Sequence, residues 1–159
     1  MSYDEAMNMK KVEFGDMPPQ AFLLGLLSAF DNRYQACADN YFKEITWKQF
    51  FAIICINLCK EAPTLNDLAD VMGSSHQNVK QILLKLEKKG FVSMTTDDKD
   101  KRKQRIVVTD KCNKFIEEND NQSKSSAEII GSIFEGIDEE SLAVTIDTII
   151  KMERNLSKL

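Results

Sequence analysis

No stretch of this 159-residue sequence approaches the ~18 to 20 consecutive apolar residues that a bilayer-spanning helix needs, so no membrane association is expected. Its opening residues, MSYDEAMNMKK, lack the apolar core of a secretory leader, and the expected location is the cytoplasm. Histidine occurs once, at His76, and there is no glycine-rich phosphate loop, no nucleophile elbow and no cluster of metal-ligand residue types. No enzyme, cofactor or metal is therefore expected. The four cysteines, Cys37, Cys55, Cys59 and Cys112, fall in or beside apolar helical runs rather than at loop-rich spacings, which disfavours a disulfide framework. Cys55 and Cys59 share a helix face, but a structural zinc site wants four ligands. Buried reduced thiols are the expectation, and bound metal or turnover in purified protein would speak for a thiol enzyme instead.

What is present is an ordinary apolar content of 43% and an uneven charge distribution. The length suits one domain, residues 1–159. The chain carries a net charge of −4, yet residues 74–105 hold nine Lys or Arg against four acids, a local +5 that leaves −9 for the remainder. Positive charge concentrated in one window of an acidic protein is the electrostatic footprint of nucleic-acid binding.

Residues 64–109 explain where that charge sits. Thr64 with Asp67, and Ser74 with Gln77, both fit a capping hydroxyl followed three residues later by an acid or amide, so two helices are expected to begin about ten residues apart. Gly73 follows the apolar set Leu65, Leu68, Ala69 and Met72 and can take the left-handed conformation that ends the first of them. In the second, Val79, Ile82, Leu83 and Leu86 recur at helical spacing, which leaves Gln77, Lys80, Gln81 and Lys85 on other faces. Amides can pair with adenine edges, and lysine reads guanine or neutralises phosphate. An imidazole at His76, in the first turn, can donate to or accept from a base or phosphate. Such a face on its own is also what any solvated helix shows.

After Gly90, the runs Phe91 to Thr96 and Arg105 to Thr109 are rich in aromatic and β-branched residues and predict a β-hairpin whose tip reads DDKDKRK. Charges packed at a hairpin tip cannot be core. They are solubilising, or they touch something charged.

These residues resemble the winged-helix domain of the multiple antibiotic resistance regulator (MarR) family. The likeness is carried by the turn MGSSHQNV, the run LEKKGFV, the D-x-x-D-x-R of the wing at Asp97, Asp100 and Arg102, and the exit RIVVTDKCNKF. It implies a recognition helix in the major groove, with Arg102 reaching the minor groove and Asp100 holding it. That pairing makes physical sense, because a minor-groove arginine responds to groove width and negative potential, and a carboxylate beside it limits its wandering. The DNA-binding set implied is Ser75, His76, Gln77, Asn78, Lys80, Gln81 and Lys85 on the helix, and Lys99, Asp100, Lys101, Arg102 and Lys103 on the wing.

The flanks follow the same logic. Pro18 and Pro19 suit the first turn of a helix with an apolar stripe at Leu23, Leu26, Leu27, Phe30, Tyr34 and Cys37, widened by Phe22 and Leu24. Thr46 is expected to cap a second helix in which Phe50, Ile53, Ile54, Asn57 and Leu58 alternate with Trp47, Phe51 and Cys55 to leave almost no polar side. Thr109 is expected to start one long helix through Cys112, Phe115, Ile116, Ala127, Ile130, Ile133 and Phe134, with a polar middle from Asn119 to Ser126. Gly136 breaks it, and Asp138 with Ser141 suits the start of a last helix carrying Leu142, Ile146, Ile149, Ile150 and Leu156. The first helix and the last two have apolar faces that a small winged domain cannot cover.

The fold expected is thus mainly α with a small β-hairpin wing: a winged helix-turn-helix over residues 45–109, flanked by dimerisation helices at 18–40 and 110–159. The resemblance implies a homodimer on double-stranded DNA, with two recognition helices about one helical turn apart on an inverted repeat. It also implies repression relieved by a small aromatic effector, with no pocket residues marked. Redox-sensing members carry a reactive cysteine near the start of the first dimerisation helix, and Pro18 to Leu27 has none. The alternatives are a winged-helix protein-interaction adaptor with no operator, or a thiol-based redox sensor.

Overall fold

The computed structural model describes residues 14–41, 44–97, 100–122 and 126–159. They divide into two compact units, one ending at Asn113 and one running from Lys114 to Leu159.

The first unit begins with α1 (Pro19–Tyr41). Pro19 takes the first helical position, where a missing amide hydrogen leaves nothing unsatisfied, and Phe22 N donates to Pro18 O at 3.0 Å. Leu23, Leu26, Leu27 and Tyr34 are half-buried, while Leu24, Phe30 and Cys37 are exposed. The Tyr34 ring meets Trp47 edge-on with centroids 4.6 Å apart, which ties α1 to the next helix.

That helix, α2 (Trp47–Leu58), opens on a reciprocal box: Thr46 Oγ1 accepts from Gln49 N, and Gln49 Oε1 accepts from Thr46 N. Gln49, Ala52, Ile53, Cys55 and Ile56 form its buried stripe, and the helix packs on α1 and on later elements of the first unit. The expectation that Asn57 and Leu58 join this packing is corrected. Both are exposed, Leu58 at 73%, because Leu58 stands about 200° around the helix from Ile56 and the backbone turns extended at Cys59.

Two short helices follow. In α3 (Leu65–Val71), Thr64 and Asp67 form the anticipated capping box. Gly73, with φ +58°, ends the helix with Ser74 N donating to Ala69 O (3.0 Å) and Gly73 N to Asp70 O (3.2 Å), the paired bonds of a left-handed C-terminal cap. In α4 (His76–Lys89) the capping residue is Ser75, whose Oγ accepts from Asn78 N. It had been expected at Ser74. Ser74 is already committed to the turn, its N–H closing α3 and its Oγ accepting from Asn78 Nδ2 at 2.8 Å, so the start of α4 moves on by one residue.

Gly90, with φ +74°, ends α4 in the same way, with Phe91 N donating to Leu86 O at 3.0 Å. Phe91 is therefore buried as part of that cap rather than as a strand residue. The strands are β1 (Val92–Thr96) and β2 (Gln104–Val108), antiparallel, with Val92 opposite Val108 and Thr96 opposite Gln104. The first starts one residue later than anticipated and keeps its end, and the second is displaced by one residue toward the tip. At the far end Thr109 serves the next helix instead, its hydroxyl donating to Gly90 O at 2.7 Å and accepting from Cys112 N. Leu68, Val79, Leu83, Leu86, Phe91, Val92, Ile106 and Cys112 join the α2 stripe as the core.

From Thr109 the chain enters α5 (Asp110–Gln122), followed by α6 (Ser126–Ile133) and α7 (Glu139–Leu156). Of the single long helix expected through Phe134, α5 and α6 are the described parts, and 123–125 lie outside the described residues. The apolar period in the sequence stops at Ile116 and resumes at Ala127. Within the second unit Gly136 has φ +77°, and Asp138 accepts from both Ser141 N (2.8 Å) and Ser141 Oγ (2.9 Å) to start α7. No residue of α7 is buried, and Ile146, Ile149, Ile150 and Leu156 all stand exposed.

Candidate nucleic-acid interface

The orientation of α4 is decided by what it buries. Val79, Ile82, Leu83 and Leu86 are each at most 7% exposed, and at roughly 1.5 to 3 kcal/mol for each fully buried aliphatic side chain they hold the helix against rolling. The opposite face is thereby fixed outward. Ser75, His76, Gln77, Asn78, Lys80, Gln81 and Lys85 are all exposed, as the sequence pattern anticipated. Their circumstances differ. The Asn78 amide donates to Ser74 Oγ within the turn, whereas among the described residues no hydrogen bond engages the side chains of Gln77, Lys80 or Gln81. Leu84 was not anticipated on this face. It is 44% exposed, and only its place three residues after Gln81, on the same side of the helix, could have flagged it.

The wing is built around two acids with different tasks. Asp97, its side chain 8% exposed, follows β1 and anchors the base of the tip. Its N–H donates to Lys103 O at 3.0 Å, its Oδ1 accepts from Asp100 N at 2.8 Å, and its Oδ2 accepts from Arg105 Nε. Asp100 faces the tip. It accepts from Arg102 Nε at 3.1 Å and from the Arg102 backbone N–H at 3.2 Å, and these bonds hold its carboxyl below the usual carboxylate range. Lys101, Arg102 and Lys103 are exposed. Lys99, named with them from the sequence, lies outside the described residues.

The charge in the window sorts accordingly. Arg105 turns inward: it donates to Asp97 and, through Nη1, to Ala62 O at 3.0 Å, and it stands 4.0 Å from Asp67. Asp97 holds the guanidinium firmly protonated. Lys89 donates to Glu44 O at 2.6 Å. Among the described residues of the window, the cations left for an external anion are Lys80, Lys85 and Lys88 on α4 and Lys101, Arg102 and Lys103 on the wing.

Between these two groups runs a groove of about 940 Å³, floored by Leu83 and Met94 and flanked by Lys80 and Leu84 on one side and by Lys101 and Arg102 on the other. A polar helix face and a cationic hairpin tip bordering one groove suit a duplex whose major groove takes the helix while the backbone passes toward the wing.

Residues 45–103 match the MarR family model. Over that segment the chain is similar to the MarR family. The MarR fold extends beyond that segment in solved structures. A MarR/EmrR family transcriptional regulator from Acinetobacter sp. ADP1 superposes with a TM-score of 0.76 at 14% identity, covering 90% of this chain and all of that one. MepR of S. aureus, solved as a DNA complex, gives a TM-score of 0.70 at 20% identity over 82% of this chain and 94% of its own. BpsR of Bordetella bronchiseptica, whose DNA binding is described as regulated by 6-hydroxynicotinic acid, gives 0.67 at 18% identity over 82% and 98%. At these identities the likeness speaks for the MarR fold.

Two cysteine expectations meet the geometry here. Cys55 and Cys112 are buried and Cys59 half-buried, with Cys59 Sγ donating to Cys55 O at 3.2 Å. Burial pushes the Cys112 thiol up to about 11 and raises Cys55, with a smaller contribution from Cys59. The expectation of burial is corrected for Cys37, which is exposed on α1 beyond the Tyr34–Trp47 contact that ties this helix to α2.

Proposed function

We propose that this protein is a sequence-specific DNA-binding transcription regulator that works as a homodimer on an inverted-repeat operator, as a ligand-responsive repressor. The observation that carries the reading is the shared groove, with Lys80 of α4 on one bank and Arg102, held by Asp100, on the other, beside the exposed Gln77 and Gln81 of the same helix. Lysine and arginine contacts to phosphate set affinity, and the helix amides set sequence choice. Arg102 enters the minor groove beside the half-site.

The dimer reading rests on uncovered apolar surface. Leu24 and Phe30 on α1, and Ile146, Ile149 and Ile150 on α7, are exposed among the described residues, and a second copy gives such faces somewhere to go. With two-fold symmetry the two α4 helices meet successive major grooves, which is why the operator should be palindromic.

One hollow supports the effector reading. A hollow of about 380 Å³ lies where α1 and α2 meet the turn into α4, lined by Tyr34, Trp47, Phe51 and Ile82, with Lys48 at its edge. Its volume and aromatic walls suit a small planar ligand, and Lys48 suits a carboxylate on it. Ser74 and Asn78, which join α3 to α4, also line it, so an occupant there presses directly on the start of the recognition helix. BpsR and its 6-hydroxynicotinic acid give a precedent for a planar aromatic acid. The test is a titration of a panel of aromatic acids against the protein–DNA complex. Weakened DNA binding that is lost in Trp47→Ala supports the site, and unchanged affinity across the panel removes the effector from the account.

A further inference from the structure

We propose that Arg105 is a positioning residue for DNA recognition, setting where the wing tip and its arginine stand relative to α4 without touching DNA itself. The inference rests on the DNA-binding reading above and adds a role for a residue whose charge would otherwise be counted among the phosphate contacts.

The hairpin register brings Arg105 to Asp97. Asp97 lies opposite Lys103 through the Asp97 N–Lys103 O bond, so Arg105, two residues further on, is its diagonal neighbour on the same face, within reach of a long side chain. Nε of Arg105 donates to Asp97 Oδ2, while Nη1 reaches away from the sheet to Ala62 O at 3.0 Å, and Asp67 stands 4.0 Å off. A guanidinium presents donors in several directions from one rigid plane, which a lysine ammonium on a flexible stem does not. One side chain thus joins the wing to the segment that starts α3. A backbone bond reinforces the join, with Ile106 N donating to Pro63 O at 2.9 Å.

Both ends of this strut lead onward to the reading surface. From Asp97, Oδ1 accepts the N–H of Asp100, and Asp100 in turn holds Arg102. From Asp67, Oδ2 accepts from Thr64 N and Oγ1, the cap of α3, and α3 packs on α4. The path runs through hydrogen bonds from Arg102 by way of Asp100 and Asp97 to Arg105, across a 4.0 Å ion pair to Asp67 on α3, and through the packing of α3 on α4. The Arg105 side chain is 29% exposed, with two of its nitrogens already committed inward. It is poorly placed to neutralise a phosphate and well placed to fix an angle.

The experiment measures DNA affinity of the full chain by fluorescence anisotropy over a salt series, well below each variant's melting temperature. The probe is the best duplex selected from a random pool by the unaltered protein. If the unaltered protein selects no duplex, the DNA-binding reading itself fails, which is a separate outcome from those that follow. Arg105→Ala should weaken binding roughly 2- to 30-fold, the range for residues that act on a site they do not touch, with the salt slope unchanged. Combined with Arg102→Ala the losses should be less than additive, because both changes act through the same wing arginine. A salt slope reduced by about 0.9, as for one lost phosphate contact, together with additive losses, overturns the proposal, and so does unchanged affinity. Because Arg105→Ala strands a buried carboxylate, Asp97→Asn is the second variant: it keeps an acceptor for the Asp100 N–H and removes the charge facing Arg105. The same less-than-additive loss with Arg102→Ala is expected from it, and full affinity contradicts the strut.

Discussion

At the wing tip Arg102 lies against Asp100, two residues before it, with Nε donating to Oδ1 at 3.1 Å and Nη2 to Oδ2 at 3.4 Å, while 91% of the arginine side chain faces solvent. An ion pair this exposed adds little to folding. Its consequence is directional, since a long cation that would otherwise sweep a wide arc is held near one heading. Arg102→Ala should therefore weaken specific binding by roughly ten- to a hundredfold and lower the salt slope by about one, with the melting temperature unchanged. Asp100→Ala should behave differently, losing discrimination between duplexes while non-specific affinity holds or rises, because it removes a negative charge from the tip. Competition between specific and random duplexes separates the two.

The pH dependence of that pair has a definite sign. Asp100 is held below the ordinary carboxylate value by the Arg102 side chain first and its backbone N–H second. Its contribution is therefore complete above the unfolded value of about 3.9 and is lost as pH falls through the lower folded value. The wing should stay ordered from pH 7 to pH 5 and loosen only below about pH 4. The Arg102 Nε–H resonance reports this directly, and a change between pH 7 and 5 would mean that another group controls the tip.

Cysteine modification should follow burial. Cys37, exposed on α1, should react first, Cys59 more slowly, and Cys55 and Cys112 only on unfolding. With the Cys112 thiol near 11, about one part in a thousand is thiolate at pH 8, and the thiolate is the reactive form. Timed alkylation read by mass spectrometry checks the order. Fast labelling of Cys112 in the folded protein would contradict the core described here.

Sequence choice should map to the amides that no partner holds. Gln81→Ala and Gln77→Ala should relax the base preference at individual operator positions, at about 1 to 3 kcal/mol of discrimination each. Asn78→Ala should instead lower helix stability, since its side chain closes the turn onto Ser74. Selection from random duplexes with each variant distinguishes a changed consensus from a general weakening.

Much of this was legible in the sequence because it depends on local rules. The cap at Thr64, the left-handed Gly73, the inward stripe of α4 and the cap at Asp138 each follow from residue types a few positions apart. Asp100 and Arg102 were legible too, through their motif and close spacing. Arg105 was not. By composition it is one more cation in a basic window, and only the hairpin register, with Thr95 opposite it and Asp97 on the diagonal, turns it inward. Ser75 displaced Ser74 as a cap because the C-terminal closure of α3 consumed Ser74 first, a competition between two overlapping motifs that spacing alone does not resolve. Leu58 fits the apolar composition of α2 but stands on the wrong side of a helix that ends there. Leu84 escaped notice because an apolar residue next to a buried stripe reads as part of it.

The central claim is that α4 and the wing together read DNA, and the most direct measurement is the affinity of the unaltered protein and of Arg102→Ala for the DNA upstream of its own gene, each across a salt series. The account predicts binding to an inverted repeat whose logarithm falls linearly with log salt concentration, with a weaker and shallower line for Arg102→Ala. Failure to bind any inverted repeat there, or binding that ignores both salt and Arg102, would contradict it.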